Sequence, residues 1–322
     1  MLGKNGFEVS EIGLGCWQLG GNWGESLSKD AAFEIMSSAV SSGVTFFDTA
    51  DVYGSGQSES FIGDFMKETK THLRVATKFG RGDVYPDGYS EESLRNAVDA
   101  SLKRLRVESI DLLQLHCIPL AVLQQGDVFN WLRKIKQEGL IKHFGASVES
   151  VEEGLLCIEQ EGILSLQVIF NLFRQKLATD LLPQAQAKGV GIIARLPLAS
   201  GLLSGKFTPQ TVFSEKDHRN FNRNGEAFNV GETFAGLPFE KGVELADTIK
   251  TMLPPGMSMA ELALRWILDH EAISTVIPGA SSAKQIEANA AWSESPSLSP
   301  ELHQKLSEFY KSEVEKHIRG SY

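Results

Sequence analysis

Four side chains with acid–base chemistry lie at or just after the ends of strands that the sequence predicts. Asp48 and Tyr53 are five residues apart in FFDTADVYGSGQSE, Lys78 follows the run VAT, and His116 follows IDLLQL. Parallel barrels place their functional sites at the carboxyl ends of their strands. The sequence therefore predicts that a carboxylate, a phenol, an ammonium and an imidazole converge at one rim.

These groups suit the protonation of a carbonyl oxygen that receives a hydride. A phenol with an ordinary pKa of about 10 is a poor proton donor near neutral pH, and a nearby ammonium such as Lys78 lowers that pKa. Asp48 supplies the counter-charge that a buried lysine needs, and His116 can orient the substrate oxygen. Each residue alone is explained by a turn or by packing, so the joint arrangement carries the prediction.

The elements that position these groups alternate between strand and helix. Short β-branched runs alternate with amphipathic stretches such as 91–105, where one apolar stripe recurs at helical spacing. The predicted strands are 12–15, 45–49, 74–78, 110–115, 141–146, 166–170, 190–194 and 273–277. Eight such units close a (β/α)₈ TIM barrel, which is the predicted fold. An open, doubly wound sheet is the alternative.

Two regions depart from this rhythm. Residues 198–237 are a long polar stretch rich in Gly and Asn, which is typical of a functional lid or of a disordered loop. Extra helices are predicted at 240–253, 259–270 and 300–318. No interdomain linker is recognisable, so a single domain over 1–322 is expected.

Composition limits the class of protein. The 322 residues carry a formal net charge of −10, which argues against nucleic acid and against an anionic membrane surface. No secretory h-region and no apolar run of about 18 residues occur, so a cytoplasmic protein without a membrane span is expected. Cys16, Cys117 and Cys157 have spacings of neither a metal site nor a redox pair, so reduced thiols and no metal are predicted.

The motifs resemble those of the aldo-keto reductase family over nearly the whole chain. GLGCWQLGG is similar to the family's opening strand and loop, and FFDTADVYGSGQSE is similar to its most specific signature. The resemblance implies that Asp48, Tyr53, Lys78 and His116 form a catalytic tetrad with Tyr53 as general acid. It also implies an N-terminal hairpin, LGKNGFEVS, at the barrel floor.

The same resemblance implies contacts to a nicotinamide cofactor. HFGAS and SLQVIFN place Ser147 and Gln167 on the carboxamide, although Val148 stands where relatives often have Asn. The segment ARLPLASGLLSGKF resembles the one that wraps the pyrophosphate. Its implied contacts are Leu198, Ser200, Gly201, Leu202 and Lys206.

Arg195 stands where many relatives have an aromatic residue that stacks on the nicotinamide. A guanidinium plane can stack in its place, and its charge would favour the reduced, neutral ring over the oxidised cation. Arg195→Tyr would then tighten oxidised relative to reduced cofactor. The alternative is that Arg195 pairs with a nearby acid.

VIPGASSAKQIEANAA resembles the family's adenosine-phosphate site, where helix N–H groups hold phosphate. Its matched positions are Gly279, Ser281, Lys284, Gln285 and Asn289. Gly279 and Gln285 replace cations that some relatives direct at the 2′-phosphate, which leaves Lys284. NADP(H) is the preferred cofactor, with NAD(H) as the alternative.

The expected function is reduction of aldehydes or ketones, or oxidation of the corresponding alcohols or sugars. Trp17, Trp23 and Tyr85 are candidates for the substrate pocket. The expected partner is a small molecule, and a monomer or simple homo-oligomer is expected. The alternatives are a cofactor-binding regulatory subunit with little turnover and, less favoured, a barrel lyase or isomerase.

Overall fold

The computed structural model describes residues 1–21, 27–320 and 322, and within them eight strands form one parallel sheet in chain order. The strands are β1 (Leu14–Gly15), β2 (Phe46–Asp48), β3 (Arg74–Phe79), β4 (Ile110–His116), β5 (Ile141–Ser147), β6 (Ile163–Ile169), β7 (Gly191–Arg195) and β8 (Ile273–Val276). Parallel bridges from Ile12 to Val276 and from Gly15 to Gly279 join the first strand region to the last. The predicted (β/α)₈ barrel is confirmed.

Helices cover the outside of the sheet. They are α1 (Lys29–Ser41), α2 (Gln57–Thr69), α3 (Glu91–Leu105), α4 (Leu120–Gln125), α5 (Asp127–Gln137), α6 (Val151–Ile158), α7 (Leu177–Asp180), α8 (Leu182–Lys188), α9 (His218–Phe221), α10 (Phe239–Lys250), α11 (Met259–Leu268), α12 (Ala283–Ala291) and α13 (Pro300–Phe309). The helix predicted over 300–318 ends earlier, because a π turn (Tyr310–Val314) and a 3₁₀ turn (Glu315–His317) follow α13. None of the described helices has the length and apolar character that crossing a membrane requires.

The barrel interior is apolar in its lower layer, towards the amino ends of the strands, and polar in the layer above, towards their carboxyl ends. Its lower layer is a separate hydrophobic cluster that contains Phe46, Ala76, Leu112 and Ile193. Alternate residues of a strand face the same side, so the residues two positions further along these strands face the interior one layer higher. Those residues are Asp48, Lys78, Gln114 and Arg195, all of them buried.

The N-terminal residues close the lower end of the barrel as a turn rather than as a pair of strands. The Leu2 N–H donates to the Phe7 carbonyl at 2.9 Å, and the Lys4 N–H donates to the Gly189 carbonyl at 2.8 Å. Leu2 and Phe7 are buried in the same cluster as Phe46. The short N-terminal segment therefore completes the apolar floor that supports the polar layer.

Residues 198–237 form a packed series of short helical turns rather than a structureless loop. The 3₁₀ helix Ala199–Ser204, helix α9 and the 3₁₀ turns Val230–Glu232 and Phe234–Gly236 make up much of it. The Asn222 side chain is fully buried, donates to Thr233 Oγ1 at 3.0 Å and accepts the N–H groups of Ala227 and Phe228. These side-chain hydrogen bonds hold the segment together in place of the regular backbone hydrogen bonds of a long helix or a strand.

We expect Phe46→Ala to destabilise the barrel strongly, because Phe46 is completely buried in the lower layer. Removing a buried phenylalanine side chain costs about 3–5 kcal/mol. Urea unfolding of the purified protein measures this change. Val212→Ala is the control, since Val212 is 89% exposed, and a similar loss in both variants would contradict the role of the floor.

Candidate active site

A buried ion pair forms the centre of the polar layer. Lys78 Nζ lies 2.5 Å from Asp48 Oδ1, and both side chains are almost completely excluded from solvent. The same ammonium donates to the Thr49 carbonyl at 2.7 Å and lies 3.4 Å from the Tyr53 hydroxyl oxygen. The predicted neighbours Asp48, Tyr53 and Lys78 are thus brought together.

The second oxygen of Asp48 accepts from two glutamine amides. Gln114 Nε2 lies 2.9 Å and Gln167 Nε2 lies 2.6 Å from Asp48 Oδ2. Gln167 Nε2 is also 3.4 Å from Gln114 Oε1. With Lys78 on Oδ1, the buried carboxylate has a donor on each oxygen, which is the condition under which a buried charge is tolerated.

Local backbone geometry sets Tyr53 beside this pair. Asp48 ends β2, and the chain then turns through Gly54, whose φ is +60°. A Cβ on Gly54 would lie 2.6 Å from the Gly20 carbonyl oxygen, and one on Gly20 would lie 2.6 Å from the Gly54 nitrogen. The first and second loops therefore pack backbone to backbone, and this close approach holds Tyr53 near Lys78.

His116 and Trp17 flank the Tyr53 ring. The ring centroids of Tyr53 and His116 are 6.0 Å apart and nearly perpendicular, and Trp17 stacks beside Tyr53 at 6.2 Å. Trp17 also contacts His218 at 4.7 Å and Phe228 at 6.1 Å. Segment 198–237 thus covers the indole that adjoins the phenol.

Burial and neighbouring charges together set the pKa values of Tyr53 and Lys78. Burial raises the pKa of Tyr53 to about 12, although the Lys78 ammonium acts in the opposite direction. The net direction is opposite to the sequence prediction, because desolvation outweighs the ammonium. Burial opposes the charge of Lys78, but attraction to Asp48 and Tyr53 prevails and its pKa is raised.

The imidazole behaves differently from the phenol and the ammonium. Burial, together with the positive charges of Lys78, Arg81 and Arg195, holds the pKa of His116 well below its usual range. Its Nδ1 is buried and has no hydrogen-bond partner among the described residues. A neutral His116 can donate a hydrogen bond to an oxygen without carrying a charge into the site.

A cleft of about 870 Å³ opens from this centre towards the amino end of α12. Most of the residues predicted to bind cofactor or substrate line it. They are Trp17, Asp48, Tyr53, Gln167, Arg195, Leu198, Ser200, Gly201, Lys206, Gly279, Ser281, Lys284, Gln285 and Asn289. The cleft therefore joins the polar layer of the barrel to a helix N-terminus, a setting that suits an elongated, phosphate-containing ligand.

The backbone around the cleft favours an anionic ligand. Ser200 and Gly201 have positive φ values of +56° and +100° in a tight turn, where the Gly201 N–H donates to the Leu198 carbonyl at 2.8 Å. Ser282, at the N-cap of α12, forms no side-chain capping bond. Ser200 Oγ itself is committed to the Glu232 carbonyl and the Phe234 N–H, so its backbone is the part left for a phosphate.

Several predicted residues lie away from the cleft surface. Ser147 is buried at the end of β5, with its Oγ 3.5 Å from Cys117 Sγ. The Leu202 side chain packs in the hydrophobic core, and Tyr85 is 45% exposed beneath the Arg81 guanidinium. None of these three side chains lines the cleft, and neither do Lys78 and His116, which lie behind Asp48 and Tyr53. Trp23 lies outside the described residues.

Arg195 takes part in a network of charges at the rim. Its Nη1 lies 3.3 Å from Glu232 Oε1, and its Nη2 lies 3.6 Å from Cys117 Sγ. Arg81 Nη2 lies 2.8 Å from Glu149 Oε1. The alternative that Arg195 pairs with an acid is thus observed, and Glu232 offsets the charge that would favour reduced nicotinamide.

The carboxylates of Glu149 and Glu232 and the Cys117 thiol come within 4.8 Å of one another, the spacing of a possible metal site. Each carboxylate is paired with an arginine, Arg81 or Arg195. These guanidinium groups already neutralise the acids and oppose a second cation. The cluster is accounted for as ion pairs.

Sequence analysis did not single out Gln114 and Glu232. Gln114 carries a detectable signal, since it is the polar residue two positions before His116 in an apolar strand and so faces the same side. Glu232 carries none, because it lies far along the chain in an irregular segment. Its position depends on how residues 198–237 pack.

Comparison with known proteins identifies the family. The profile of the Aldo/keto reductase family matches residues 11–311. This chain belongs to the aldo-keto reductase family. Aldo-keto reductases are oxidoreductases that use nicotinamide cofactors, which agrees with the cleft and with the groups at its inner end.

Similar proteins extend over most of the chain. A probable aldo-keto reductase 1 from Glycine max is 32% identical over 299 residues, covering 89% of this chain and 82% of that protein. The holo form of the aldo-keto reductase AKR11C1 from Bacillus halodurans has a TM-score of 0.78 and 27% identity, covering 99% and 98% of the two chains. The glycerol dehydrogenase AKR11B4 from Gluconobacter oxydans has a TM-score of 0.77 and 28% identity, covering 98% and 95%.

We expect Lys78→Met to destabilise the folded protein, because it leaves Asp48 as a buried carboxylate without its cation. Breaking one side of a buried ion pair costs about 3–5 kcal/mol. The double variant Asp48→Asn and Lys78→Met removes both charges and should regain much of that loss. Urea unfolding at pH 7 compares them, and equal stability of the single and double variants would contradict this electrostatic account.

Proposed function

We propose that this aldo-keto reductase reduces aldehydes or ketones to alcohols, with Tyr53 as the proton donor. The observation that carries the proposal is the buried Lys78 ammonium, held by Asp48 and placed 3.4 Å from the Tyr53 hydroxyl at the inner end of the cleft. The same groups serve oxidation of the alcohol when the proton moves the other way. A regulatory subunit without turnover would not need this set.

A nicotinamide cofactor bound in the cleft supplies the hydride. Tyr53 gives its proton to the substrate oxygen, and the phenolate that develops is stabilised by Lys78. Neutral His116 donates a hydrogen bond to the same oxygen and orients it. Asp48 keeps the ammonium charged and in place, and Trp17, with segment 198–237 against it, keeps water from the reacting groups.

For the cofactor we propose three groups of residues along the cleft. Gln167 contacts the nicotinamide carboxamide, with its strand neighbour Ser147 beside it and Arg195 against the ring. The turn at Ser200 and Gly201 lies against the pyrophosphate, with the Ser200 backbone as the donor, and the amino end of α12 takes the adenosine phosphate. NADP(H) is our preferred cofactor, with Lys284 as the cation that meets the 2′-phosphate.

The Gln285 side chain bears on this choice. Its Oε1 accepts from the Ser281 N–H at 2.8 Å and from Ser281 Oγ at 3.0 Å. An amide held in this way stabilises the turn before α12 and adds no positive charge. The preference for NADP(H) over NAD(H) therefore depends on Lys284, and NAD(H) is the alternative.

We further propose that residues 198–237 cover the bound cofactor. Glu232 reaches Arg195 at the end of β7, with its Oε1 3.3 Å from Arg195 Nη1. Within the segment, Ser200 Oγ donates to the Glu232 carbonyl at 3.1 Å. The first contact joins the segment to the barrel rim, and the second holds Glu232 in place.

Tyr53→Phe should lower the rate of carbonyl reduction by about 10²- to 10⁴-fold and leave cofactor binding intact, because the ring remains and the proton is lost. Turnover is followed as NADPH absorbance at 340 nm with a panel of aldehydes, and binding as quenching of tryptophan fluorescence. Tyr89→Phe is the control, since the Tyr89 hydroxyl donates to the Gly80 carbonyl outside the cleft lining. Retained turnover in Tyr53→Phe would overturn the assignment.

The pH profile follows from the raised pKa of Tyr53, about 12. The phenol keeps its proton below that value, so the acid is present throughout neutral and mildly alkaline solution. We expect kcat/KM for reduction to stay flat from about pH 6 to 9 and the rate of alcohol oxidation, which needs a base, to rise with pH. A fall in reduction centred near pH 7 would contradict this protonation state.

Lys284→Ala should weaken NADPH binding about tenfold and leave NADH binding nearly unchanged, since NADH has no 2′-phosphate. Separate fluorescence titrations with the two cofactors measure both dissociation constants. Lys305→Ala is the control, because Lys305 is exposed on α13 and does not line the cleft. Equal weakening for both cofactors would remove Lys284 from 2′-phosphate recognition.

A further inference from the structure

Gln114 is completely buried in the middle of the polar layer and has no part in the cleft lining. Its side chain uses both ends of the amide. Nε2 donates to Asp48 Oδ2 at 2.9 Å, and Oε1 lies 3.4 Å from Gln167 Nε2. A buried glutamine with both ends engaged on two site residues is held in one orientation.

The position of Gln114 on β4 makes these contacts possible. Gln114 is paired with Lys78 in the register between β3 and β4, and with Gly145 in the register between β4 and β5. A Cβ on Gly145 would lie 2.6 Å from Ser165 Oγ, so the interior beside Gln114 is tightly filled. The amide therefore reaches Asp48 from the strand next to Lys78.

The hydrogen bond from Gln114 supports the ion pair directly. A buried carboxylate is tolerated beside its cation only when its lone pairs are satisfied. Without the Gln114 donor, Asp48 Oδ2 keeps the Gln167 amide alone, and the carboxylate is directed less firmly at Lys78. The ammonium beside the Tyr53 hydroxyl is then held less precisely.

We propose that Gln114 is a positioning residue that keeps Asp48 directed at Lys78, and that it thereby holds in place the positive charge beside which Tyr53 releases its proton. The inference rests on the proposed function, in which Tyr53 is the proton donor. Gln114 also contacts Gln167, whose Nε2 donates to Asp48 Oδ2. The Oε1 of Gln167 is the end of that amide left for a ligand in the cleft.

Two substitutions separate this role from packing. Gln114→Leu keeps most of the volume and removes the donor, so kcat for reduction should fall roughly tenfold or more, as expected for a lost hydrogen bond to a charged group. KM for the aldehyde and the cofactor dissociation constant should change little, because Gln114 does not line the cleft and Gln167 keeps its shorter, 2.6 Å bond to Asp48. The control is Gln175→Leu, which removes a buried amide that donates to the Leu172 and Leu306 carbonyls.

Gln114→Glu tests the hydrogen bond through a pH dependence of kcat that a packing role would not produce. The introduced carboxyl group can donate to Asp48 only while it is protonated, and a carboxyl group beside another carboxylate holds its proton to higher pH. We expect kcat of this variant to approach the wild-type value near pH 5 and to fall as the pH rises. The kcat of Gln114→Leu should stay low at every pH, and the wild-type profile is expected to stay flat.

The outcomes distinguish the two proposals. Suppose that Tyr53→Phe loses turnover but both Gln114 variants keep the wild-type kcat and a flat pH profile. The role of Gln114 is then overturned, and the proposed function stands. Equal losses in Gln114→Leu and Gln175→Leu, without pH-dependent recovery in Gln114→Glu, also overturn the positioning role of Gln114 and indicate a packing role. Full turnover in Tyr53→Phe, or none in the wild type, overturns the proposed function itself.

Discussion

The buried ion pair between Lys78 and Asp48 is the interaction on which the upper half of the barrel depends. Two charges are removed from water at the centre of the strands, and the desolvation cost is several kcal/mol for each ion. The structure offsets that cost with a 2.5 Å contact between the two groups, the Thr49 carbonyl and two glutamine amides. The polar layer is therefore a set of mutually required residues.

The apolar floor and the polar layer support each other through strand periodicity. Several residues of the polar layer have an apolar side chain two positions earlier on the same strand, as Phe46 precedes Asp48, Ala76 precedes Lys78 and Leu112 precedes Gln114. Packing of the lower layer fixes the strands, and fixed strands fix the distances in the layer above. Precise placement of catalytic groups is easier on such rigid elements than on loops.

The cleft has a different origin. Its walls come from irregular segments that lie far apart in sequence, and the contact between Glu232 and Arg195 crosses from one to another. This pair places a neutralised guanidinium in the lining of the cleft. Much of the cleft wall thus comes from outside the strands, whereas the buried ion pair lies within them.

The sequence by itself determined the strand order, the barrel and the four polar groups at or just after the carboxyl ends of β2, β3 and β4, because alternation and strand-end positions are local properties. It also indicated most of the cleft-lining residues through family motifs. Only the tertiary structure decided that Gln114 and Gln167 share one oxygen of Asp48, that Glu232 meets Arg195, that Leu202 enters the core and that burial raises the pKa of Tyr53. Those outcomes depend on desolvation and on contacts between distant segments, which no local pattern records.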